Sequence, residues 1–356
     1  MLRTFAIVSL LAILDPSVSA GAEFDWRAVL EQNQALPPGA INDHEAVKIG
    51  GIQQWISVRG ADPANPLLLY LHGGPGSPML AESWTFQRPW EDFFTVVQWD
   101  QRGAGKTFAA NGGKLEGTLS IEQMQADAEE LIEYLLRRYH QRKIFLLGHS
   151  WGSVLGVRIA LHRADLLHAY IGVGQVVNMR RNEAVGYELT LKEARRDGNA
   201  KAIEQLVGIA PYPGTEGPLS FEKTAVERQW DRYYRGMIYA LRDDDEDGRR
   251  RMSSLYSESE LAAAERGEEE TVKALWPQLA SVDFDPVRRL DCPFFLFAGT
   301  QDRTTPTAIA KAFYDQVQAR GGKRYFAIPN AAHYVLSEAP GVVLVDLVQY
   351  VRPVAK

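Results

Sequence analysis

The chain has 356 residues, 46% of them hydrophobic and 24% charged, and a formal net charge of −6. This is globular composition with ample material for a buried core, and its acidic balance gives no electrostatic ground for holding nucleic acid or an anionic membrane surface. A single cysteine, Cys292, excludes an internal disulfide, so stability must come from packing.

The chain opens with Arg3, an apolar run from Phe5 to Leu14 broken by Ser9, and the small residues Val18-Ser19-Ala20. That order predicts a secretory signal peptide over 1–20, cleaved after Ala20, and a secreted or periplasmic product. The run is roughly half of what a spanning helix needs, so no stable membrane insertion is expected after cleavage.

From about residue 50, strand and helix signals alternate. Ile52–Val58, Leu67–Leu71, Phe94–Trp99, Ile144–Leu147, Ala169–Val173, Phe294–Ala298 and Tyr325–Ile328 read as strands. Short continuous apolar runs suit a parallel sheet covered on both faces. Ser120 with Gln123 predicts a capping box, followed by an apolar stripe from Ile121 to Tyr139 at helical spacing. Thr305-Pro306 reads as an N-cap with a first-turn proline. Cys292 stands at the mouth of an apolar strand and reads as a buried thiol. The predicted class is α/β, a mostly parallel central sheet flanked by helices, with core segments 21–178 and 281–356. Between them, 179–280 reads as a helical cap, polar and broken at Pro211–Gly214 and Gly217-Pro218. Its charge run, Asp243–Asp247 then Arg249–Arg251, reads as a solvated edge.

Four features carry chemistry. Gly148-His149-Ser150-Trp151-Gly152 follows a strand and opens a helix, the setting in which a serine becomes an exposed nucleophile on a sharp turn. His72-Gly73-Gly74-Pro75-Gly76 ends another strand and can aim backbone N–H groups at a developing oxyanion. Pro75 has no N–H, so Gly73 or Gly74 is the donor there, with Gly74 preferred, and Trp151 N–H is the second. Asp302 follows the strand at Phe294, and His333 follows the strand at Tyr325. The order serine, aspartate, histidine is that of a hydrolase triad in which His333 takes the serine proton and Asp302 orients the imidazole. Of the other histidines, His149 is expected to face away from the serine, and His44, His140, His162 and His168 lie outside loops at strand carboxyl ends. Asp100–Thr107 ends in Gly-Lys-Thr, but a phosphate loop needs glycine where Asp100 stands, so this turn reads as a support beside the oxyanion loop.

Three of these motifs, His72–Gly76, Asp100-Gln101-Arg102-Gly103 and Ser150-Trp151-Gly152-Ser153, together resemble the prolyl aminopeptidase (proline iminopeptidase) family of α/β-hydrolases, over roughly 45–178 and 285–352. The resemblance implies a triad of Ser150, Asp302 and His333, an oxyanion hole from Gly74 and Trp151, a helical cap, and no cofactor or metal. Relatives that cleave an N-terminal proline hold its amine on acidic cap residues, including a glutamate after a tryptophan. Trp230-Asp231 is the nearest counterpart here, one methylene shorter, with Glu227, Glu183, Glu188 and Glu204 as further carboxylates. The expected substrate is thus a small peptide, amide or ester. Three readings follow: an aminopeptidase of prolyl type, a carboxylesterase or small-amide hydrolase on the same triad, and a non-catalytic binding protein.

Overall fold

The strand signals come together in one eight-stranded sheet: β1 (Ile41–Ile49), β2 (Ile52–Gly60), β3 (Leu67–Leu71), β4 (Thr95–Asp100), β5 (Ile144–His149), β6 (Leu167–Val173), β7 (Phe294–Gly299) and β8 (Lys323–Ile328), in the spatial order β1-β2-β4-β3-β5-β6-β7-β8. The computed structural model describes residues 25–115, 117, 119–241 and 246–355. The predicted signal peptide lies outside the described residues. Of the described residues, those up to Ala35, with helix Trp26–Asn33, and those from Leu36 onward, with the sheet, are separate compact units. No helix among the described residues is long and apolar enough to cross a membrane.

β1–β2 and β2–β4 pair antiparallel, and the remaining neighbours pair parallel. β3 and β7 are apolar at every position, and β5 up to its closing His149, because both faces are covered. Leu67, Leu69 and Leu71 of β3 join one hydrophobic cluster and Leu68 and Tyr70 the other; β5 divides likewise into Ile144/Leu146 and Phe145/Leu147. Strand alternation sends successive side chains to opposite layers, each burial contributing about 1.5–3 kcal/mol. β1 carries no apolar run. Its sequence Ile-Asn-Asp-His-Glu-Ala-Val-Lys-Ile is held in the sheet by pairing with β2 across Gly50-Gly51.

Helices α1 (Ile121–Arg138) and α2 (Trp151–His162) cover one face. Half of the predicted capping box forms: Ser120 Oγ accepts from Gln123 N at 3.1 Å, but the Gln123 amide donates to Asp127 instead. Among the described residues, five helices lie between β6 and β7: α3 (Met179–Asp197), α4 (Ala200–Gly208), α5 (Phe221–Tyr233), α6 (Glu246–Arg251) and α7 (Glu258–Leu279). Asn178, Asn199, Ser220 and Ser257 cap α3, α4, α5 and α7 by accepting from backbone N–H groups. The last of the major helices is α8 (Thr307–Gln316), whose cap position is Pro306 with no side-chain bond. Thr305, expected as that cap, is turned elsewhere.

The charge run is also only partly solvated. Arg249 Nε and Arg250 Nε each lie 3.1 Å from the carboxylate of buried Glu82, and Arg250 also pairs with Glu246 at 2.6 Å. A carboxylate buried on the core demands counter-charges, and the arginine half of the run supplies them. Arg242 to Asp245 lie outside the described residues.

Candidate active site

β5 delivers Ser150 to a turn with φ 54° and ψ −120°, a strained conformation for a residue with a Cβ. Hydrogen bonds on both sides of the residue hold it there. Ser150 N–H donates to Val173 O at 3.0 Å, and Ser153 Oγ donates to Ser150 O at 2.6 Å. The flanking glycines are required by proximity: a Cβ on Gly152 would sit 2.0 Å from the Leu71 carbonyl oxygen, and one on Gly148 2.5 Å from that of Gly152. Only glycine lets α2 rise this close behind β3 and β5.

Asp302 and His333 reach the same end of the sheet from the loops after β7 and β8. His333 Nδ1 lies 3.0 Å from Asp302 Oδ2, and both residues are buried. Thr305 completes the pair: its N–H donates to Asp302 Oδ1 and its hydroxyl to Oδ2, each at 2.8 Å, and the hydroxyl also lies 3.2 Å from His333 Nδ1. This is the residue read from the sequence as a helix cap. A neutral His333 whose Nδ1–H is shared with Asp302 keeps Nε2 as a proton acceptor.

Ser150, Trp151, Gly73, Gly74 and His333 line one cavity of about 320 Å³. A Cβ on Gly73 would stand 3.1 Å from Ser150 Cβ, which sets the glycine loop directly beside the serine. Trp151 is the first residue of α2, so its N–H has no intrahelical acceptor and is available to a ligand. The loop after β4 braces this arrangement. Gln101 Oε1 accepts from Trp151 Nε1 at 3.0 Å, its amide donates to His72 O at 3.3 Å, and its N–H donates to His72 Nε2 at 3.2 Å. Arg102 closes the turn on buried Asp127 at 2.8 Å. The Gly-Lys-Thr ending folds back on the same turn, where Lys106 N–H donates to Asp100 Oδ2 at 2.7 Å and the Thr107 hydroxyl to Asp100 O.

His149 is placed differently from expectation. It lines the cavity, its ring centroid 4.9 Å from that of His333 and its Nε2 3.0 Å from His333 O. Strand alternation would turn it away from residue 150, but the positive φ of Ser150 breaks the alternation and brings both to one mouth. Burial pushes its pKa down to about 3, and burial likewise pushes His72 down to about 4. Burial pushes the Cys292 thiol up to about 11, as an inert core thiol requires.

Helices α3, α5, α6 and α7 form a large part of the cavity wall through Met179, Glu183, Phe221, Thr224, Arg228, Glu246, Arg250, Glu268, Val272, Trp276 and Leu279. Trp230, Asp231 and Glu227 are not among its lining residues. On α5 the stripe Phe221, Thr224, Ala225 and Arg228 faces the cavity, at the spacing of one helix face. Glu227 is therefore turned to Thr190 of α3 at 3.0 Å, Trp230 to Gln205 of α4 at 2.9 Å, and Asp231 to Thr304 at 2.8 Å. Burial raises the carboxyl pKa of both Glu227 and Asp231. Glu188 and Glu204 are exposed.

The cavity carboxylates are Glu183, Glu246 and Glu268, and each is engaged. Glu183 is bonded to Arg228 and to Tyr212 OH, Glu268 accepts from Ser77 Oγ, and Glu246 pairs with Arg250 at 2.6 Å. Among the described residues no group of three or more His, Cys, Asp or Glu is placed to hold a metal ion.

Comparison with known proteins agrees with this architecture. The chain is 28% identical over 315 residues to a protein of Bacillus subtilis (strain 168) named probable aminopeptidase YbaC, covering 86% of this chain and 95% of that one. Proline iminopeptidase of Mycobacterium smegmatis superposes with a TM-score of 0.61 at 18% identity, over 88% of this chain and 98% of that one. An esterase from Exiguobacterium antarcticum superposes with a TM-score of 0.58 at 17% identity, over 87% and 100%. At such identities the two solved structures share the fold. Residues 68–347, well over half of the chain, match the alpha/beta hydrolase family, and with the sheet order and the strained serine turn after β5 the chain belongs to that family.

Proposed function

We propose that the protein is a serine hydrolase that releases N-terminal residues from short peptides through an acyl-enzyme on Ser150, as an aminopeptidase of prolyl type. The observation that carries this reading is the buried Asp302–His333 pair, whose imidazole lines the same small cavity as Ser150 on its strained turn. His333 Nε2 takes the proton from Ser150 Oγ as Oγ adds to the substrate carbonyl. The N–H groups of Trp151 and Gly74 receive the oxyanion, and His333 returns the proton to the departing amine. Water then repeats the cycle on the acyl-enzyme. At about 320 Å³ the cavity is at the small end of ligand sites, which favours a substrate of one or two residues over a folded chain.

The name of the Bacillus relative and the three carboxylates on the cavity wall support an aminopeptidase. One observation favours a second reading, an esterase or small-amide hydrolase. Each cavity carboxylate already has a partner, and Glu183 is buried between Arg228 and Tyr212, so an uncharged acyl group fits the wall as well as an amine does. A panel of proline arylamide, alanine arylamide and a nitrophenyl ester separates the two. Proline arylamide turned over well above the ester supports the first reading, and turnover of the ester alone supports the second. Ser150→Ala is expected to lower kcat by about four to six orders of magnitude on any of them. Activity that survives this substitution removes the triad.

We further propose that residues 1–20 direct export, so that the mature enzyme works outside the cytoplasm on small peptides, amides or esters.

A further inference from the structure

Glu338 lies five residues after His333 at the end of the short helix Val335–Glu338, outside every motif read from the sequence. Its carboxylate gathers three backbone N–H groups. Oε2 accepts from Ala332 at 2.7 Å, and Oε1 accepts from Ala240 at 2.6 Å and from Tyr239. The donors come from two separate pieces of chain. Ala332 immediately precedes His333, whereas Tyr239 and Ala240 belong to the connection between α5 and α6.

That connection is stitched to the site at further points. His333 N–H donates to Met237 O at 3.0 Å, and Arg303 N–H, next to Asp302, donates to Gly236 O at 3.1 Å. Asp231, at the end of α5, takes Thr304 Oγ1 at 2.8 Å and Arg303 Nε at 3.4 Å. The packing at Gly236 leaves no room for a side chain: a Cβ there would stand 1.8 Å from Asp231 Oδ1. One stretch of the helical insertion, 231–240, therefore touches both the loop of Asp302 and the loop of His333. Glu338 is the charged node of this stitching, and charge-assisted hydrogen bonds are roughly twice as strong as neutral ones.

We propose that Glu338 is a positioning residue for His333: by binding the backbone of Tyr239 and Ala240 together with that of Ala332, it makes the seating of the helical insertion and the placement of the imidazole a single event. This rests on the reading of His333 as the base. Loss of the node lets the His333 loop drift from Ser150, and a displacement of about 1 Å at a reacting group costs roughly 10²-fold in rate.

The test compares wild type, Glu338→Gln, Glu338→Ala and Ser150→Ala in the full chain. Turnover of a nitrophenyl ester is normalised to the folded fraction by circular dichroism, alongside the rate at which a fluorophosphonate labels Ser150. Glu338→Ala is expected to lower kcat about 30–100-fold with KM within about threefold, and to slow labelling in parallel. Glu338→Gln retains one acceptor oxygen and should recover part of that loss. A Glu338→Ala enzyme with wild-type kcat per folded molecule, or Ala and Gln variants that are equal, assigns Glu338 to stability alone and overturns the proposal. Should Glu338→Ala not fold, the Gln variant decides: a kcat within about twofold of wild type overturns the proposal and a larger fall, KM held, supports it. Ester turnover that survives Ser150→Ala brings down the underlying reading, and does so in a chain with Glu338 intact.

Discussion

Asp302 and Trp151 owe their setting to two residues that the sequence pointed to in other roles, Thr305 as a helix cap and Gln101 as part of a supporting turn. Thr305 gives Asp302 both a backbone and a hydroxyl donor, and Gln101 bonds the indole of Trp151. His149 and His72 surround the same turn, but burial places their protonation at about 3 and about 4. Above pH 5 both are therefore neutral, and a general base is lost only when its own imidazole takes up a proton. The sign follows: both lowered pKa values lie below the assay range, so neither ring changes charge within it. In pH–rate profiles measured from about pH 5 to 9, His149→Phe is expected to leave the shape of the wild-type profile unchanged, whereas His333→Gln should lose activity by about three orders of magnitude or more at every pH. A profile whose shape changes in His149→Phe would show that this ring titrates within the working range.

At the scale of elements, the site depends on how closely α2 follows β5 past the end of β3. The space for a methyl group at Gly152 is filled by backbone, the Leu71 carbonyl, which cannot rotate aside as a side chain can. Gly152→Ala is expected to destabilise the protein by about 2–3 kcal/mol, read as a lowered urea midpoint at unchanged slope, and to reduce fluorophosphonate labelling in the molecules that remain folded. An unchanged midpoint would mean that α2 can move away from β3 at no cost. The elements differed in how legible they were. β3 and β7 throughout, and β5 up to His149, are apolar because both faces are buried, and such runs show in a sequence. β1 has mixed polarity and is held by register with β2, a long-range property that leaves no local pattern. Thr305-Pro306 has the local form of a helix start, yet the hydroxyl is taken by a carboxylate close by in the fold.

At the scale of the whole molecule, the five helices between β6 and β7 do more than cover the cavity. They bond to the glycine loop through Glu268 and Ser77, and to the Asp302 and His333 loops through Asp231 and Met237. Site geometry and the seating of these helices are thus linked by hydrogen bonds rather than by apolar contact alone. Export belongs to this scale as well. Arg3, the apolar stretch to Leu14 and Val18-Ser19-Ala20 lead to a defined expectation: protein collected from the medium or periplasm should begin at Gly21 by N-terminal sequencing or intact mass. An intact Met1 on the exported protein would refute the signal reading.

The sequence by itself determined which strands are central, the glycine-flanked serine, and the order in which serine, aspartate and histidine arrive. These are local or ordered properties: an apolar run, a turn that tolerates no side chain, a residue just past a strand. Only the tertiary structure decided which cap carboxylates face the cavity. Trp230-Asp231 resembles an amine-binding pair in one dimension, but a rotation about α5 presents Thr224 and Arg228 to the cavity and Asp231 to Thr304. The same holds for Glu338, whose three backbone partners lie 6, 98 and 99 residues away and meet only when the insertion is seated. Helix phase and long-range pairing depend on packing against distant chain, and packing is what a linear reading of residues does not contain.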